Sequence, residues 1–116
     1  MRTITIALLS LSLLGCISMP KSSSVKFRSL ESGKAVEDCF ALGKGQGFIY
    51  FFESNHEVDF NIYYKTDHQY VFTVDAPKAK HVRGRFKAPR QNNYCLMWTN
   101  DQESAAEVTW TLLSDA

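Results

Sequence analysis

From residue 58 onward, apolar and polar side chains alternate in steps of two. In Val58-Asp59-Phe60-Asn61-Ile62-Tyr63-Tyr64, Val58, Phe60 and Ile62 fall on one side and Asp59 and Asn61 on the other. Tyr70, Phe72 and Val74 alternate with Val71 and Thr73, and Val82, Gly84 and Phe86 with Arg83, Arg85 and Lys87. Tyr94, Leu96 and Trp98 alternate with Cys95, Met97 and Thr99, and Val108, Trp110 and Leu112 with Thr109 and Thr111. Period two in segments rich in β-branched and aromatic residues predicts strands, because successive side chains of a strand point to opposite faces. Gly47-Phe48-Ile49-Tyr50-Phe51-Phe52 is apolar on both faces and predicts a central strand. Shorter strands are expected around Val25–Arg28 and Val36–Leu42, and Glu53-Ser54-Asn55-His56-Glu57 reads as an exposed turn.

The punctuation agrees. Thr66-Asp67-His68 predicts a tight hairpin, and Asp75-Ala76-Pro77, Ala88-Pro89 and Asn92-Asn93 mark later turns. Gly43-Lys44-Gly45-Gln46-Gly47 precedes a strand rather than a helix, so it relaxes the backbone and does not cradle a phosphate. Seven or eight short strands at this spacing predict an all-β, antiparallel β-sandwich over residues 25–116.

The N-terminus has another character. Met1 and Arg2 precede an apolar run from Ile4 to Leu14, too short to span the roughly 20-residue thickness of a bilayer core. It closes on Leu13-Leu14-Gly15-Cys16, which resembles the lipobox of bacterial lipoproteins. That resemblance implies that residues 1–15 are a signal peptide and that the Cys16 thiol carries a diacylglyceryl group. Acyl chains stabilise membrane attachment by about 0.8 kcal/mol per buried methylene, so two or three of them hold firmly. Ile17, rather than Asp, follows the cysteine, which is similar to lipoproteins of the outer membrane facing the periplasm. Residues 16–24 then form a flexible tether, Ser- and Pro-containing beyond the cysteine. Its eight residues from Ile17 to Ser24 reach about 26–29 Å when stretched and roughly 15 Å as a coil.

Asp38-Cys39-Phe40, the glycines after it, Phe48-Ile49-Tyr50-Phe51 and Val58-Asp59-Phe60-Asn61-Ile62 together resemble the first half of a GOLD domain. Asn93-Tyr94-Cys95-Leu96-Met97-Trp98-Thr99-Asn100, Ser104 and Val108-Thr109-Trp110-Thr111-Leu112 are similar to its terminal motif. The resemblance covers residues 35–113 and implies a jelly-roll-like sandwich that binds protein or lipid without catalysis. Asn93 stands where that family has glycine, and Cys95 lies two residues before the family's second cysteine position, here Met97. Counting thiols leads to a bridge independently. With Cys16 taken by lipid, Cys39 and Cys95 are the remaining two of three cysteines, in an oxidising compartment. A structural disulfide between them is expected, rather than a redox pair or metal site.

Charge adds one feature. Removing Arg2 from 13 Lys and Arg leaves 12 against 12 Asp and Glu, so nothing calls for nucleic acid. Yet six of those 12 cations (Lys78, Lys80, Arg83, Arg85, Lys87 and Arg90) lie in residues 78–90 with no acid among them. If Val82 and Phe86 face the core, Arg83, Arg85 and Lys87 form a basic row on the other face. Such a row suits an anionic partner: phospholipid headgroups, lipopolysaccharide or an acidic envelope protein. It also suits a solvated strand whose charges block edge-to-edge pairing. His56, His68 and His81 have no metal-ligand spacing, and no nucleophile elbow or metalloprotease motif is present. Neither an enzyme nor a cofactor is expected. Tyr63 is a candidate outward platform for sugar or protein. The expectation is a membrane-anchored interaction module. The alternatives are a carrier holding a lipid between the sheets and a small envelope enzyme or inhibitor.

Overall fold

The period-two pattern becomes seven antiparallel strands in a computed structural model that describes residues 24–75 and 77–115. They are β1 (Val25–Leu30), β2 (Ala35–Leu42), β3 (Gly47–Lys65), β4 (Tyr70–Phe72), β5 (Lys78–Lys87), β6 (Asn92–Thr99) and β7 (Ala106–Ser114). The sheet runs β1-β7-β3-β6-β2, with β4 and β5 also paired to β3. It curls into a half-barrel, and the chain is all-β and sandwich-like as the alternation predicts. The expected signal peptide, Cys16 and the expected tether up to residue 23 lie outside the described residues.

The strand β3 organises everything else. Its first part, Phe48–Ser54, pairs with β7, and its second part, Asp59–Tyr63, pairs with β6. The sheet therefore has two halves: β1, β7, early β3 and β5 in one, and β2, β6, late β3 and β4 in the other. Sequence reading predicts two strands here with a turn at residues 53–57, whereas the structure has one 19-residue strand. Glu53 pairs with His81 and Val58 with Ala79, so β3 spends five residue steps where β5 spends two. The three extra residues form a bulge, which bends the strand without breaking it. Polar side chains at the bend serve the neighbouring loop. Asn55 Nδ2 donates to the Ala105 carbonyl (3.3 Å), and Asn55 Oδ1 accepts from the Glu107 N–H (2.9 Å). The two ring nitrogens of His56 lie 3.0–3.1 Å from the carbonyl oxygens of Glu57, Ser104 and Ala105.

Asn100 joins the other two corners. It is fully buried, and its Nδ2 donates to the Leu30 and Ser104 carbonyls, both at 2.9 Å, while Oδ1 accepts from the Gln102 N–H. Its own N–H donates to Lys34 and its carbonyl accepts from Gly33, which has φ +81°, a left-handed conformation suited to glycine. Every polar group of this residue is thereby satisfied, as burial requires.

The core is aromatic. Phe52, Phe60 and Trp98 pack with ring centroids 4.8–5.8 Å apart, and Trp98 meets Trp110 at 4.5 Å. Phe86 on β5 touches Tyr94 on β6 at 5.2 Å, which shows the inner faces of the two halves meeting. Burying each such side chain stabilises by about 1.5–3 kcal/mol. The Trp98 indole N–H has no partner among the described residues, a cost of about 1–3 kcal/mol that this packing offsets. Gly84 lies opposite Tyr50, whose hydroxyl would stand 2.5 Å from an added Cβ, so the ring lies where a side chain would be. The predicted turns at Thr66-Asp67-His68 and Ala88-Pro89 hold, and the one at residues 75–77 includes a residue outside the described ones. Asn92 and Asn93 instead open β6, and the chain turns at residues 89–91 before them. Strand β4 is also shorter than the alternation suggests, ending at Phe72. Beyond it, Val74 and Asn61 bond through the Asn61 side chain instead of a backbone ladder.

Candidate interaction surfaces

On β5, Val82 and Phe86 pack against the core, and Arg83, Arg85 and Lys87 stand exposed on the outer face, as the alternation predicts. What surrounds them follows from pairing. Arg83 lies opposite Phe51, Phe51 opposite Thr111, and Thr111 opposite Val25, giving a row across four strands. Next to it runs a second row of His81, Glu53, Thr109 and Phe27. A third places Arg85 beside Ile49 and Leu113. Val25, Phe27 and Phe51 are 70%, 57% and 42% exposed, high values for large apolar side chains. Apart from Glu53, this face is thus apolar across β1 and β3, and it is basic along its β5 edge. Arg85 Nε pairs with Asp115 Oδ2 at 3.1 Å. Lys78, by contrast, is held by both Asp59 and Asp101 and is neutralised. Arg83 and Lys87 make no ion pair among the described residues.

The outer face of the other half carries different chemistry. Cys39 and Cys95 are directly opposed on β2 and β6, with Cα atoms 4.0 Å apart, and form the expected disulfide. Both lie at odd positions on strands whose even residues fill the core, so the bridge is on the outside. Tyr63 pairs with Cys95 on the next strand, and its hydroxyl donates to Glu37 Oε2 at 2.7 Å. That hydrogen bond, helped by burial and the Glu37 charge, pushes the Tyr63 phenol up to about 12. Its ring meets Tyr70 edge-on and tilts against Phe72, both at 5.6 Å. Tyr63 therefore does lie outside, within an aromatic group of three. The Glu37 carboxylate and the two sulfurs cluster within 4.8 Å, but disulfide sulfurs are not the thiolates that bind metal.

Sequence reading identifies the basic row, the two cysteines and Tyr63, and misses Val25, Phe27, Phe51, Tyr70 and Phe72. Exposed apolar residues on strands predicted to be half-buried carry no signal until pairing shows which face each one joins. His56 is not in an exposed turn but spans the β3 bend. No family model matches the chain, and no curated protein matches its sequence.

Proposed function

We propose that this protein is an envelope lipoprotein, anchored through Cys16, whose sandwich acts by non-covalent contact with an anionic membrane surface. The observation that carries this reading is the shared outer face of Val25, Phe27 and Phe51 with Arg83, Arg85 and Lys87. An apolar patch rimmed by cations suits the boundary between acyl chains and anionic headgroups. Where the chain joins the face supports it as well. Val25 is on that face, and only the eight residues Ile17 to Ser24 separate it from Cys16, roughly 15 Å of coil. The resemblance to GOLD domains, which bind protein or lipid without catalysis, points the same way.

Two measurements test this. Metabolic labelling with an alkyne fatty acid should mark the wild-type protein and not Cys16→Ser. Cys16→Ser protein should then co-sediment with phosphatidylglycerol vesicles at low salt and not with phosphatidylcholine vesicles. Replacing Arg83, Arg85 and Lys87 together by Gln should weaken that binding roughly a hundredfold, at about 1 kcal/mol per cation near an anionic surface. Equal binding by the triple variant, or equal binding to both vesicles, would remove this role from the face.

A further inference from the structure

The second outer face ends in a recess of about 570 Å³, between the Thr66–Gln69 turn and the Arg90–Asn93 segment. That volume is within the range of small-ligand sites, roughly 300–1,000 Å³. Tyr63 and Tyr70 form its aromatic wall, and Phe72 continues that wall beyond the recess. Tyr70 and Phe72 are 56% and 55% exposed. The wall is preorganised. The Tyr63 hydroxyl is fixed on Glu37, its ring is held by both neighbours, and Lys65 Nζ stands 5.6 Å from the Tyr70 ring centre. A rigid aromatic surface costs little conformational entropy when a ligand stacks on it.

The rest of the recess is polar and uncommitted. Asp67, Arg90, Gln91 and Asn93 contribute to its lining, and their side chains make no hydrogen bond among the described residues. Asn92 differs, its Nδ2 donating to the Lys65 carbonyl at 3.0 Å. Carboxylate, guanidinium and amides together offer donors and acceptors of both kinds. Asp67 offsets one of the two lining cations, Lys65 and Arg90, which leaves a formal charge of about +1, little for a phosphate or acidic-peptide site.

We propose that this recess is a saccharide-binding site. A pyranose ring has an apolar C–H face that stacks on an aromatic ring, and equatorial hydroxyls that need mixed donors and acceptors at its rim. Tyr63 and Tyr70 supply the first requirement, and Asp67, Gln91, Asn93 and Arg90 the second. The ligand class is an uncharged oligosaccharide, taken at the end of the sheet. The site does not depend on the membrane reading, since it lies on the other half from Arg83, Arg85 and Lys87.

The test is saturation-transfer NMR and calorimetry on the full chain in detergent, with chitotetraose, maltoheptaose and cellohexaose as probes. At least one should bind saturably at millimolar concentration. Tyr70→Ala should weaken it roughly tenfold, the scale of one aromatic contact. Tyr70→Phe, which keeps the stacking surface, should leave binding intact, and Asp67→Ala should weaken it. Tyr70 and Asp67 are exposed, so circular dichroism should show these variants folded. The triple Gln variant of the basic row should bind the sugar as the wild type does, whatever it does on vesicles. Absence of binding to all three sugars, or equal binding by Tyr70→Ala and Asp67→Ala, overturns the proposal.

Discussion

The indole N–H of Trp110 on β7 donates to Asp38 Oδ2 on β2, 2.8 Å away, joining the two halves of the sheet. The same oxygen accepts from Lys26 Nζ on β1 at 2.8 Å, and that ammonium lies 5.4 Å from the Phe40 ring centre. One carboxylate therefore closes the gap between β1 and β2, which are at opposite ends of the strand order.

Asp38→Ala should accordingly destabilise the fold by about 1–3 kcal/mol, because it leaves the indole N–H of the buried Trp110 unpaired. Lys26→Ala should cost well under 1 kcal/mol, since the lysine side chain is 41% exposed and the ion pair is screened. Urea denaturation of both variants checks this, and the ranking matters more than either value.

The Cys39–Cys95 bridge closes a loop across 56 residues. The chain-entropy estimate for such a loop is about 4 kcal/mol. Because the bridge is on the outer face, replacing both cysteines by Ser should leave the aromatic core packed. The double variant should keep its near-ultraviolet circular dichroism and unfold at much lower urea concentration.

Tyr63 sets an alkaline dependence. Its folded pKa is about 12 against the ordinary 10.0, so the folded state holds the proton more tightly than the unfolded chain. That contribution is complete below pH 10.0 and is lost as pH rises through about 12. Burial also raises Tyr50 and Tyr94, so comparison with Glu37→Ala is needed to isolate Tyr63. In that variant the ring-carbon NMR signal of Tyr63 should titrate nearer the ordinary phenol value, and less stability should be lost above pH 10.0.

The alternation revealed which residues of β6, β7 and the later part of β3 are inside, because each of these strands has one face in the core and one outside. It placed Arg83, Arg85 and Lys87 outward for the same reason. It could not show that residues 47–52 and 58–64 are one strand. Glu53-Ser54-Asn55-His56-Glu57 has a turn's polarity, but Asn55 and His56 use theirs on loop carbonyls of residues 104 and 105. Nor was the neighbourhood of the basic row legible. Phe51 and Val25 join Arg83 only through the order β1-β7-β3-β5, a long-range pairing with no local trace. The Tyr63 group is an intermediate case, since Tyr63 was readable as outward but its contact with Tyr70 and Phe72 depends on hairpin register.

An unbroken β3 also has a mechanical meaning. Since the same nineteen residues run through both halves, the flank bearing Phe51 and the flank bearing Tyr63 share one backbone that bends at the bulge without a break. Whatever rests against one is held at a set distance and angle from whatever occupies the other, and pulling on either loads a single continuous backbone. Such a body should yield to force or denaturant all at once.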